Sequence, residues 1–135
     1  MSSRTFILQS IKSFFLISLA AFSALSFAGD IKPFTQAQFD KLNAEGKGLV
    51  LAIHAPWCPT CKAQMPIQSE LMSMPAFKDV TMLTIDFDSQ KDLLKNFKVT
   101  MQSTIISFKG GKEVGRSVGD STRGGIEALY KKTLN

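Results

Sequence analysis

The chain has 135 residues, 44% hydrophobic and 20% charged, which suits a single globular domain and excludes disorder as its main state. Two cysteines cannot build a disulfide-dense scaffold, one histidine cannot build a histidine-rich metal site, and neither common glycine-rich phosphate loop is present. The formal charge of +5 arises from basic residues interspersed with acidic ones, so there is no phosphate-tracking stripe and no nucleic-acid partner is expected.

Arg4 and Lys12 are the only charged residues before Asp30, and an uncharged, apolar run from Ser13 to Gly29 contains Ser26-Phe27-Ala28 at its end. A basic start, an apolar middle and a small-x-small end describe an export signal. The expectation is a cleavable signal peptide over 1–28 and one domain over 29–135, periplasmic or otherwise exported. The competing reading is an uncleaved membrane anchor, because the run sits at the lower edge of the ~17–25 residues that span a bilayer. Cleavage after Ala28 leaves 107 residues with 14 basic and 11 acidic side chains. That length supports a core without staples, and a monomer is expected.

Thr35 is placed to cap a helix carrying Phe39 and Leu42, which ends near Gly46-Lys47-Gly48. Leu49–Ile53 is a continuous apolar run, the pattern of a strand covered on both faces. From Cys58 the spacing turns helical, with Pro66 inside the helix. Met74–Phe77 reads as a turn or short helical piece, and Val80–Ile85 as a second buried strand. Ser89 is the expected cap of a helix carrying Leu93, Leu94 and Phe97. Thr104–Phe108 is a third strand, Lys109-Gly110-Gly111-Lys112 a hairpin turn, and Glu113–Val118 the returning strand. A last helix, capped by Ser121 or Thr122, carries Ile126, Leu129 and Tyr130. This order predicts an α/β fold: a mixed sheet with helices on both faces.

Both cysteines lie in Trp57-Cys58-Pro59-Thr60-Cys61-Lys62, between the first buried strand and its following helix. The first turn of a helix has unpaired N–H groups and a partial positive charge. A thiolate on Cys58 is stabilised there, and cysteines in such settings titrate at roughly 3.5–7.5. Cys61 follows one helical turn later, close enough to resolve a mixed disulfide. Three other readings compete. A structural zinc site lacks ligands, since only His54 is left to add. An inert disulfide closing so short a loop stabilises little. A soft-metal carrier would bind Cu(I) through Cys58 and Cys61, with His54 available as a third ligand.

These residues resemble the thioredoxin superfamily over essentially all of the mature chain. The strand–Trp57-Cys58-Pro59-Thr60-Cys61-Lys62–helix unit is similar to its signature. Pro66 matches its helix-kinking proline, Asp88 a common acidic position, and Phe108–Lys112 with Gly119 its hairpin and following glycine. The resemblance implies a thioredoxin-like three-layer α/β/α sandwich with a mixed central sheet. It also implies a thiol–disulfide oxidoreductase that acts on protein thiols or disulfides, with Cys58 as nucleophile, Cys61 as resolving thiol and no cofactor. Reduction is slightly favoured as its direction, since no helical insertion of the dedicated periplasmic oxidant is present. A reductant outside the cytosol needs a membrane electron-transfer partner.

Three departures from the family stand out. Ser103 occupies the usual cis-proline position, where a cis bond before a non-proline costs ~2.5–4 kcal/mol. Gln102 and Ser103 thus keep backbone groups for a substrate chain but lack the proline ring. Ala52 replaces a buried acid on the strand before the motif. His54 replaces an aromatic residue and is read as a packing residue, or as a base or cation tuning Cys58. Trp57, Pro59 and Thr60 complete the expected substrate-contact and tuning set. Met65, Met72, Met74, Met82 and Met101 are read as core or loop fillers.

Overall fold

The computed structural model describes residues 28–135. The signal peptide expected over 1–28 therefore lies, but for Ala28, outside the described residues. Among the described residues no helix is long and apolar enough to cross a membrane.

The elements run β1 (Asp30–Pro33), α1 (Gln36–Ala44), β2 (Gly48–His54), α2 (Pro59–Ser73), a 3-10 turn (Pro75–Phe77), β3 (Val80–Asp86), α3 (Lys91–Asn96), β4 (Thr104–Lys109), β5 (Lys112–Val118) and α4 (Arg123–Lys131). They form one five-stranded sheet in the order β1-β3-β2-β4-β5. β1, β3 and β2 are parallel, β4 runs antiparallel to β2, and β5 antiparallel to β4. The mixed sheet matches the sequence expectation.

β2 is the central strand, and its alternating side chains build both cores. Val50 and Ala52 face Leu71 and Met72 of α2 and Ile126, Leu129 and Tyr130 of α4. Leu49, Leu51 and Ile53 face the opposite way, into a cluster with Phe39 and Leu42 of α1 and Leu94 of α3. Period-two alternation under helices on both faces gives the three layers. Phe34, Phe39, Phe97 and Phe108 knit the second core through tilted and edge-on ring contacts at centroid distances of 5.1–6.1 Å. In the first core the Tyr130 hydroxyl donates to Gln68 Oε1 at 2.9 Å. Burial raises the phenol's pKa, which keeps it a donor. Of the five methionines read as fillers, Met72 and Met82 are buried and Met65 and Met74 pack against the first core. Met101 is exposed on the loop before β4.

Thr35 and Thr122 cap α1 and α4 as expected, accepting from the amides of Gln38 and Gly125. Gly110 and Gly111 both take positive φ (57° and 78°) in the β4–β5 turn. Two expectations fail. β1 was not anticipated, because its four residues, Asp-Ile-Lys-Pro, are a mostly exposed edge strand without an apolar run. Ser89 does not cap α3. Gln90 holds that position without a side-chain cap bond. The Ser89 amide and hydroxyl instead donate to Asp86 Oδ1, each at 2.8 Å, because the carboxylate at the end of β3 gathers the turn around itself.

Gly48 begins β2 beneath the last turn of the chain, and a Cβ there would lie 2.7 Å from the Thr133 carbonyl oxygen. Because the obstacle is backbone, Gly48→Ala is expected to lower unfolding free energy by about 1–3 kcal/mol. Urea denaturation followed by the fluorescence of Trp57 measures the loss.

Candidate active site

β2 ends at His54, and Ala55-Pro56-Trp57 turn the chain into α2. Cys58 is the N-cap of that helix. Its amide donates to the Ala55 carbonyl at 3.2 Å, and its carbonyl accepts from Lys62 N–H at 3.1 Å. Pro59 takes the first helical position, where its missing N–H costs nothing. The Cys61 amide donates to Cys58 Sγ at 3.1 Å. A sulfur therefore fills the place that a serine or aspartate oxygen usually holds at a helix start. The same two residues are joined as a disulfide, with Cα atoms 5.3 Å apart, inside the span that such a bond bridges.

The sulfurs are shielded. Cys58 is 1% exposed and Cys61 5%, packed with Ala55 and the half-buried Phe87. A shallow groove of about 250 Å³ lined by His54, Ala55, Pro56, Cys61, Lys62 and Met65 opens beside them. Trp57 stands 55% exposed at the rim. Its indole N–H donates to Asp88 Oδ2 at 2.8 Å. The turn that carries Asp88 is tied to Asp86, whose Oδ1 accepts from the amides of Asp88 and Ser89 and from the Ser89 hydroxyl. His54 pairs in register with Asp86 across the parallel strands, half-buried at the end of β2. Among the described residues no three His, Cys, Asp or Glu side chains gather in a metal-holding group.

On the far side of β2, the Ser103 amide donates to the Ile53 carbonyl at 3.0 Å. The Gln102–Ser103 peptide is trans, since the described residues contain no cis bond. Ser103 takes φ +59°, a left-handed conformation that is uncommon for a non-glycine residue. Its hydroxyl donates to the Gln102 carbonyl, and its own carbonyl accepts from the Gly119 amide at 3.0 Å. Ala52 is buried on β2 and offers no acid. Thr60 lies half-buried in the first turn of α2. Sequence reasoning passed over Phe87 and Gln64. Phe87 follows a strand as one more apolar residue and gives no signal. Gln64 did leave one: it is a polar residue in the stripe Cys61, Gln64, Gln68, Leu71, Met72 that α2 buries.

The thioredoxin family profile matches residues 30–132. The chain belongs to the thioredoxin family. It is 37% identical over 86 residues to the thioredoxin of Chlamydia trachomatis, covering 63% of this chain and 82% of that one. A thioredoxin H-type of Fagopyrum esculentum is 34% identical over 82 residues, covering 61% and 69%. Among solved structures, Trxlp from Edwardsiella tarda superposes with a TM-score of 0.71 at 33% identity, over 78% of this chain and all of that one. With the family's fold and the Cys58–Cys61 disulfide at the start of α2, the chain is a thiol–disulfide oxidoreductase.

The Asp86 carboxyl is held below its ordinary pKa of 3.8, first by the Ser89 hydroxyl, then by the Ser89 and Asp88 amides and the nearby His54. A depressed carboxyl stabilises the fold above its unfolded value and loses that contribution as pH falls through the folded one. An NMR titration is expected to place the Asp86 midpoint below 3.8. Asp86→Asn, which cannot ionise, should show a shallower loss of stability on acidification below about pH 4.

Proposed function

We propose that the protein is exported and exchanges the Cys58–Cys61 pair with protein thiols and disulfides, working mainly as a reductant. The observation that carries the chemistry is the Cys61 amide aimed at Cys58 Sγ at the head of α2. The donor and the helix's partial positive charge favour a thiolate on Cys58 over one on Cys61, which lies within the helix. In the reducing direction the Cys58 thiolate attacks a substrate disulfide and displaces one substrate sulfur as a thiolate. Cys61 then gives up its proton, attacks the Cys58 sulfur and releases the second substrate thiol. Two electrons pass to the substrate, and the protein is left with its own disulfide.

The surroundings suit that sequence. Both sulfurs are covered, so the Ala55 and Phe87 lip must yield for a sulfur to reach Cys58. Trp57, pinned by Asp88, offers an apolar rim for a polypeptide. Gln102 is half-buried and carries backbone groups for pairing with a substrate strand. Pro59 and Thr60 shape the first helical turn. His54 supplies a titratable ring next to the groove.

Export is supported by the basic, apolar and small-residue pattern up to Ala28. Reduction is supported by the β3-α3-β4 path, which runs without an inserted helical domain. In an oxidising compartment the disulfide must be re-reduced, which calls for a membrane electron-transfer partner.

Insulin reduction with a dithiol donor is expected to proceed with the wild type and to fall to background in Cys58→Ser. Cys61→Ser should accumulate mixed disulfides through Cys58, visible as adducts on non-reducing gels. Absence of turnover and of adducts in folded protein refutes the exchange. Equilibration with glutathione should give a midpoint nearer about −270 mV than about −120 mV, the values of a reductant and a strong oxidant of this fold. Mass spectrometry of protein secreted from a bacterial host should find Gly29 as the first residue.

A further inference from the structure

Gln64 is 1% exposed and sits one turn after Cys61 on α2. Its side-chain amide donates to the Ser103 carbonyl at 3.1 Å and to the Asp120 carbonyl at 2.8 Å. Both N–H groups of that amide are thus spent on two loops distant in sequence. With the Gly119 amide also on it, the Ser103 carbonyl has both its lone pairs filled. These contacts converge on a serine at φ +59°, which persists only where its surroundings over-determine it. A proline ring would hold φ near −65° by itself. Serine has no ring: its hydroxyl bond to the Gln102 carbonyl is local, and the loop's place between β2 and α2 comes from Ile53, Gly119 and Gln64.

We propose that Gln64 is a positioning residue for exchange with protein disulfides: it fixes the Gln102–Ser103 loop against the helix that carries both cysteines. The polar bonds of Gln64 go to the two loop carbonyls and not to the sulfurs. It acts through the Ser103 carbonyl on the backbone of Gln102, where a substrate chain pairs. A small disulfide that needs only the sulfur does not depend on that loop. The inference rests on the exchange activity proposed above, and its test separates the two.

Gln64→Met keeps length and removes both donors, while Gln64→Glu keeps shape and sets a carboxylate against two carbonyl oxygens. Steady-state rates are compared for reduction of the protein disulfides of insulin and of a small aromatic disulfide, 5,5′-dithiobis(2-nitrobenzoic acid). The expected result for either variant that folds is a KM for the protein disulfide raised about tenfold, with kcat and the small-disulfide rate within about twofold of wild type. Parallel loss on both substrates, or no change on either, overturns the positioning role. Gln64→Glu is near-isosteric, so it supplies the reading if Gln64→Met does not fold. A wild type inactive on both substrates instead overturns the exchange activity itself.

Discussion

A backbone amide pointed at a sulfur organises this molecule. The Cys61 N–H reaches Cys58 Sγ only because Cys58 caps α2. Cys58 in turn caps α2 because β2 delivers the chain to that point and Ala55-Pro56-Trp57 turn it. β2 is locked by register to β3 on one side and β4 on the other, and is buried from Gly48 to Ile53. The sulfur's electrostatic setting is therefore inherited from the best-packed strand in the fold. A helix start left free to fray would spread its partial charge over many conformers.

Around that point the protein is held by polar ties. Trp57 is held by Asp88, whose turn is gathered by Asp86. Ser103 is held by Ile53, Gly119 and Gln64 in place of a ring. The Gln64–Ser103 tie joins buried groups, which are costly to leave unsatisfied, whereas the Trp57–Asp88 bond joins two exposed side chains at the rim.

Much of the architecture could be read from the chain because its signals are local. Leu49–Ile53 and Val80–Ile85 are apolar runs long enough to declare buried strands, and two glycines between two lysines declare a tight hairpin. Thr35 and Thr122 precede apolar helical stripes. What escaped depends on distant partners. β1 exists because β3 offers an open edge, which no property of Asp30–Pro33 announces. Ser89 looks like a cap until Asp86, three residues earlier, competes for it. The cysteine pair was legible by spacing and position. The trans, left-handed state of Ser103 was not, since it depends on bonds to residues as distant in sequence as Ile53 and Gln64.

The bond between Tyr130 and Gln68 has a mechanical corollary. α2 packs one stripe into the first core, and apolar contact alone resists sliding weakly. A phenol and an amide that find each other inside that layer act as an index pin. Advancing the helix by one turn, about 5.4 Å, would strand both groups without water. The far end of the domain thereby sets how far the cysteine-bearing tip projects.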